Sequence, residues 1–511
     1  NEIDISQTLG WFSSTYPFVV ETPDLTDLEQ VICHIKETFR QVPNNGLGYG
    51  ILKWLSSTPL TSVNSADILF NYFGQTDLSN HALEQGEAQS VYSEPLVTDD
   101  GAFNHMQPHC LALNGRISKG QLNLDLNYDT ELFSKQTMFG IREAIDSAIK
   151  GLINHCSQTK QVKYTPTDFP LASLAQSDID DWQAKLALSF LQIKSIYPAT
   201  GMQEGLLYHS QIQSDAYITQ LTLSYDSLDP LMLEASWKHL ITRHDIFRTA
   251  FMTTDSGDKY QVVTDKADLE WNYINLSSSE LKTEDVLTQL EGFKVADKQQ
   301  GFDFNLPCLM RLTLVKVADA SFKLIWTNHH ALIDGWCLPI LLSELSKIYS
   351  SFAEGTPLKL NESPSYANFI KWLHTQDKEQ ASRYWSSRLE TIEDPTKLPF
   401  HASSDSKLAS IEVINDGFAI QEQLTLSKPE TASLKTLSQE TQCTLNTLMQ
   451  AAWGLLLAKY SDTNSIIFGT TVSGRSPQVH DIEKMVGLCI NTLPVIMQID
   501  YRLNLKTWLK S

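Results

Sequence analysis

The chain has 511 residues and a formal charge of −21, from 39 Lys and Arg against 60 Asp and Glu. With 42% hydrophobic, 10% aromatic and 19% charged residues, it has a globular composition that excludes wholesale disorder. The acidic balance argues against a nucleic-acid or anionic-membrane partner, both of which leave a basic footprint.

At about 150 residues per domain, the length leads to an expectation of about three units. No run of 18 apolar residues occurs, so no bilayer-spanning helix is expected. Residues 1–4 carry neither the basic nor the apolar region of a signal peptide. The seven cysteines (33, 110, 156, 308, 337, 443 and 489) are odd in number and widely spaced, with no CxxC. Neither a disulfide framework nor a metal site is expected, and the cytoplasm is the expected compartment. The start without Met leads to the expectation of a segment from a longer chain.

Residues 157–189 read as a polar linker with two prolines and a short helix over 177–191, marked by Ile179, Trp182, Leu186 and Phe190. Asp229-Pro230 reads as an N-cap and first helical residue, followed by an apolar face of Leu233, Trp237, Leu240 and Ile241. Residues 321–327 alternate Phe322, Leu324 and Trp326, a half-buried strand. Leu338, Leu341, Leu342, Leu345, Tyr349 and Phe352 form a helical stripe closed by Gly355 and Pro357. An apolar helix over 445–460 leads into a strand at 466–469. These elements indicate a mixed α/β (α+β) architecture.

Two segments echo each other. Gly10, Thr15 and Pro17 of GWFSSTYP share offsets with Gly487, Thr492 and Pro494 of GLCINTLP. Three matches in eight positions also arise by chance, so the echo alone establishes no duplication.

The string most able to do chemistry is HHALIDGW, His329 to Trp336, between the strand and the helical stripe. A histidine held at a strand end presents an imidazole that titrates near neutral pH. Asp334 can orient a ring or pair with an arginine. Gly335 can turn the backbone and expose amide donors at a helix start, where negative charge is stabilised. The same spacing also fits a buried histidine pair followed by an aspartate cap.

HHALIDGW resembles the HHxxxDG signature of the condensation-domain superfamily of nonribosomal peptide synthetases. Five further segments resemble the family's motifs in order: 197–209 (YPATGMQEGLLYH), 243–251 (RHDIFRTAF), 365–372 (SYANFIKW), 472–475 (VSGR) and 485–494 (MVGLCINTLP). Segments 10–17, 43–50 (PNNGLGYG) and 70–75 (FNYFGQ) resemble the superfamily's epimerization branch.

The resemblance implies chloramphenicol-acetyltransferase-like lobes in a pseudo-dimeric V. It divides the chain into a partial epimerization-domain C-terminal lobe (1–156), the linker (157–189), a condensation N-terminal lobe (190–360) and a truncated C-terminal lobe (361–511). Residues 18–156 resemble the piece expected after Ser511 and would be able to dock there. The implied enzyme is an amide-forming acyltransferase. It would join carrier-bound thioesters in nonribosomal peptide synthesis, with a D-configured donor and an L-configured acceptor.

His330 would position or deprotonate the amine, with His329, Asp334 and Gly335 completing the catalytic set. Gly335 would offer its amide to the oxyanion. Asp334 would pair with Arg475, or failing that Arg311, and Trp336 would wall the acceptor channel or fill the core. No cofactor or metal is expected on the domain itself. The 4'-phosphopantetheine would arrive on donor and acceptor peptidyl carrier domains, next to an adenylation domain. The alternatives are a silent carrier-docking or scaffold fragment, and epimerization of a carrier-bound residue.

Overall fold

A computed structural model describes residues 8–10, 12–21, 27–57, 60, 66–75, 109–159, 162–277, 283–390, 392, 395–398 and 422–509. Residues 1–4, Trp11 of the GWFSSTYP segment, 160–161 of the linker and Ser511 lie outside the described residues. The chain divides into two compact units. One comprises 1–170 with 174–179, and the other 171–173 with 180–511.

In the first unit, helix α1 (Leu28–Arg40) starts where the Asp27 carboxylate accepts the Glu29 and Gln30 N–H groups. Lys36 and Arg40 of α1 both reach Asp168, at 2.5 and 2.6 Å. Glu37 accepts from the Thr167 hydroxyl and N–H. Helix α2 (Leu47–Trp54) precedes strand β1 (Ile68–Gln75), which runs parallel to β2 (Leu111–Ser118). Strand β3 (Gln121–Tyr128) returns antiparallel to β2, through Lys119 and Gly120 at φ 52° and 72°. Positive φ at both turn residues suits the twist of a two-residue hairpin. Helix α3 (Lys135–Gln158) closes this part of the unit.

Helix α4 (Gln176–Ala187) contains the division between the units. It stops short of the expected residue 191 for a visible reason. Leu191 N–H donates to Leu186 O and Phe190 N–H to Ala187 O, with Phe190 at φ 56°. This is a Schellman ending, in which the left-handed position turns its side chain outward. Phe190 is therefore 83% exposed rather than part of the core, while Leu186 and Leu191 are buried.

Among the described residues, the second unit holds three sheets. In one, β4 (Ile193–Pro198) and β6 (Thr249–Thr253) flank β7 (Lys259–Thr264). The four-stranded sheet has the order β5 (Ile218–Asp226), β10 (Ser321–His329), β9 (Met310–Ala318), β8 (Glu270–Asn275). Strands β11 (Ser465–Val472) and β12 (Asn491–Gln498) form an antiparallel pair. The helices in chain order are α5 (Gly201–Ile212), α6 (Pro230–Arg243), α7 (Thr283–Gln299), α8 (Cys337–Glu354), α9 (Ala367–His374), α10 (Lys378–Leu389), α11 (Lys428–Thr441), α12 (Leu445–Ser461) and α13 (Leu505–Trp508).

Asp229 caps α6 and Pro230 opens it, and Gly355 at φ 64° ends α8. The core forms where α6 and α8 meet β10: Trp237 and Trp326 pack edge to face at 4.9 Å, with Leu240, Leu341 and Leu345 beside them. Strand β10 is buried on both faces from Leu324 to His329, as expected for a strand covered on each side. The expected mixed α/β class is the class observed.

Candidate active site

Strand β10 delivers the histidine pair. His329 occupies its last rung, opposite Ile218 of β5, and its N–H donates to Leu309 O. The chain then turns through 330–336 into α8. His330 N–H donates to Tyr217 O at 2.9 Å.

The two imidazoles have different surroundings. His329 is 1% exposed, and both ring nitrogens are engaged. Nδ1 accepts from Ala331 N–H at 3.1 Å, and Nε2 lies 2.9 Å from Ser210 Oγ. The accepting Nδ1 assigns the proton of the neutral ring to Nε2. Burial, with the neighbouring His330 second, pulls the His329 pKa down to about 4, so the ring is neutral at pH 7. His330 is half-buried. Its Nδ1 is enclosed without a partner. The two adjacent rings thus differ: both His329 nitrogens are held by protein groups, whereas His330 Nδ1 is not.

Asp334 is fully buried. Oδ1 accepts from Trp336 N–H at 3.0 Å and from Arg475 Nη2 at 3.2 Å, while Oδ2 accepts from Cys489 N–H at 2.9 Å. Arg475 also donates through Nη1 to Ile482 O and Met485 O, at 2.7 and 2.8 Å. The Cys337 thiol lies 3.4 Å from Asp334 Oδ1 and 3.3 Å from Gly487 O. Burial, then the Asp334 charge, pushes it up to about 12, so it stays a protonated donor.

Arg311, the other candidate partner for Asp334, is committed elsewhere. Its Nε donates to Asp297 Oδ1 at 2.7 Å, and its guanidinium lies 4.2 Å over Phe302. Arg311 and Ser210 line a cavity of about 510 Å³, placing that cavity beside the His329 partner Ser210.

Gly335 lies in the turn that leads into α8, without a left-handed conformation. An added Cβ there would meet nothing within 4 Å. Its N–H donates to no group among the described residues, whereas the Trp336 and Cys337 amides are both engaged by Asp334. Trp336 is 61% exposed, so the core reading is corrected.

The GLCINTLP segment closes the site because glycine allows it. A Cβ on Gly487 would run into the Tyr366 ring, and one on Gly474 (φ 63°) into the Cys489 carbonyl. Tyr366 Oη donates to Leu488 O at 2.5 Å. Sequence reasoning missed Cys337, Tyr366 and Ser210 as parts of this arrangement, and named Gln203 only as a structural or tunnel-lining residue. Gln203 and Ser210 carried a signal: both are polar and lie on the side of α5 that buries Leu206 and Leu207.

The family model described as Condensation domain matches residues 1–174 and 193–511. The chain belongs to the condensation-domain family. As a condensation domain it is an amide-forming acyltransferase of nonribosomal peptide synthesis. Bacitracin synthase 3 of Bacillus licheniformis is 32% identical over 96% of this chain and 8% of its own length. Bacitracin synthase 1 of the same organism is 30% identical, over 99% of this chain and 9% of its own length. The chain thus spans less than a tenth of each of these relatives.

The first condensation domain of the CDA synthetase overlays with a TM-score of 0.48 at 14% identity, covering 62% of this chain and 73% of that one. Among the described residues, no helix of this condensation domain is long and apolar enough to cross a membrane, and no cluster is arranged to hold a metal ion.

Proposed function

We propose that residues 190–511 join an acceptor amine to a donor thioester, both delivered on carrier proteins, and so form a peptide bond. The observation that carries this reading is the contrast within the motif. His329 and Asp334 are engaged by the protein's own groups, while the His330 ring and the Gly335 N–H are not.

In the reaction the amine nitrogen attacks the donor carbonyl carbon. A C–N bond forms, the C–S bond breaks, and the thiolate leaves on the donor carrier's phosphopantetheine arm. One amine proton is released and ends on that sulfur. His330, through Nε2, positions the amine and handles the proton. The Gly335 N–H stabilises the developing oxyanion. Thioesters are activated, so holding the two tethered ends together supplies much of the rate. Asp334 and Arg475 hold the loop in shape, and the exposed Trp336 walls the acceptor side.

The domain itself takes no cofactor. Its partners are the donor and acceptor peptidyl carrier domains beside an adenylation domain, in the cytoplasm. Residues 1–156 form part of an epimerization lobe, and its place directly before the condensation domain makes the donor D-configured and the acceptor L-configured.

The test is a condensation assay with two loaded carriers, using D- and L-configured donors. Wild type is expected to prefer the D-donor, and His330→Ala to lose about 10²- to 10⁴-fold in rate. An unchanged rate in the variant overturns the role of His330. Equal use of both donors overturns the stereochemical assignment. No product from wild type, with carrier binding intact, favours the scaffold reading.

A further inference from the structure

The His330 ring makes no hydrogen bond among the described residues, so its direction is set by the backbone that carries it. That backbone is gripped by one helix. Helix α5 begins with a capping box in which Gln203 Oε1 accepts from Thr200 N–H at 2.9 Å. The same side chain uses its amide hydrogens elsewhere: Nε2 donates to Ala331 O at 3.0 Å and to Gln261 Oε1 at 2.9 Å. Gln261 in turn donates to Pro198 O at 3.1 Å. Gln203 and Gln261 are both 0% exposed.

Seven residues further along α5, Ser210 faces the same way. Two helical turns separate the pair, so both lie on one face. Ser210 Oγ meets His329 Nε2 at 2.9 Å, and it also lies 3.0 Å from Ala216 O. The residue after Ala216 is Tyr217, whose carbonyl accepts the His330 N–H. Ser210 therefore touches the chain on both sides of the His330 amide.

We propose that Gln203 and Ser210 are positioning residues for condensation: from two turns of α5 they brace residues 329–331 and so aim the His330 imidazole. The inference rests on the reading that His330 handles the acceptor amine. The network has no apolar equivalent. Replacing Gln203 leaves the Ala331 carbonyl buried and unpaired, and replacing Ser210 does the same to the His329 Nε2–H. Small displacements of a reacting group are costly to rate.

The experiment compares Gln203→Leu, Ser210→Ala and Ser210→Thr with His330→Ala in the two-carrier assay, alongside melting curves. Gln203→Leu and Ser210→Ala are expected to lower kcat about 10- to 100-fold with KM for the loaded carriers changed less than about twofold. Ser210→Thr, which keeps the hydroxyl, is expected to restore kcat to within about threefold. Placed on His330→Ala, either substitution is expected to cost no further rate. A purely structural role would cost the same in both backgrounds, and that result overturns the proposal. So does full kcat in folded Gln203→Leu and Ser210→Ala. If His330→Ala itself keeps the wild-type rate, the reading of His330 fails instead. Should Gln203→Leu not fold, the Ser210→Ala and Ser210→Thr pair carries the test.

Discussion

Arg475 is the residue on which the buried Asp334 carboxylate depends. Taking a carboxylate out of water is unfavourable by several kcal/mol, offset here by the guanidinium, two backbone N–H donors at Trp336 and Cys489, and the Cys337 thiol. Removing the arginine leaves the charge uncompensated. Arg475→Ala is therefore expected to destabilise the protein by about 3–5 kcal/mol in urea titrations. Asp334→Asn is expected to cost less, about 1–3 kcal/mol. The reason is local: Arg475 keeps two carbonyl partners, at Ile482 and Met485, when the carboxylate is gone. Equal losses from the two variants would refute this account.

At the level of elements, two helix ends make predictions. Phe190 occupies the left-handed position that closes α4, where a side chain costs about 1–2 kcal/mol relative to glycine. Because it is mostly exposed, little packing offsets that cost. Phe190→Gly is expected to stabilise by about 0.5–1 kcal/mol, read as a rise in melting temperature. The C-terminus of α6 is tied to α8 through Glu344, which accepts from His244 Nε2 at 2.7 Å and from Arg243 Nε at 3.0 Å. Burial alone would raise the Glu344 pKa. The hydrogen bonds from His244 and then Arg243 outweigh it and hold the group at about 2. The folded pKa lies below the unfolded value near 4.5, so this contribution is complete above pH 4.5 and lost as pH falls toward 2. Stability measured from pH 6 to pH 2.5 is expected to fall more steeply in wild type than in Glu344→Gln.

Across the second unit as a whole, the segment after residue 361 reaches back to the histidine loop at several points. Arg475 and Cys489 bond Asp334 and Cys337 bonds Gly487, while Tyr366 bonds Leu488 within the segment itself. Gly487 sits at the centre of this clasp, where no side chain fits against the Tyr366 ring. Gly487→Ala is expected to cost about 1–3 kcal/mol by overpacking, measured by calorimetry. A second substitution, Tyr366→Leu, trims the opposing ring and is expected to recover part of that loss. Full stability of Gly487→Ala alone would show the clasp to be loose.

The expected strand at 321–327 is β10, and the stripe at 338–352 lies on α8, because hydrophobic period is a local property of the chain. The motif residues could be named for the same reason, since HHALIDGW is contiguous. The choice between Arg311 and Arg475 was not local. Arg475 stands 141 residues from Asp334, and packing alone brings it within 3.2 Å. The difference between the two adjacent histidines was equally hidden, because it rests on Ser210 and Ala331 reaching one ring and not the other. The sequence by itself determined the fold class and singled out the candidate residues of the histidine motif. Only the tertiary structure decided which of them are held and which are free to act, because hydrogen-bond partners far apart in sequence become neighbours only in the packed chain.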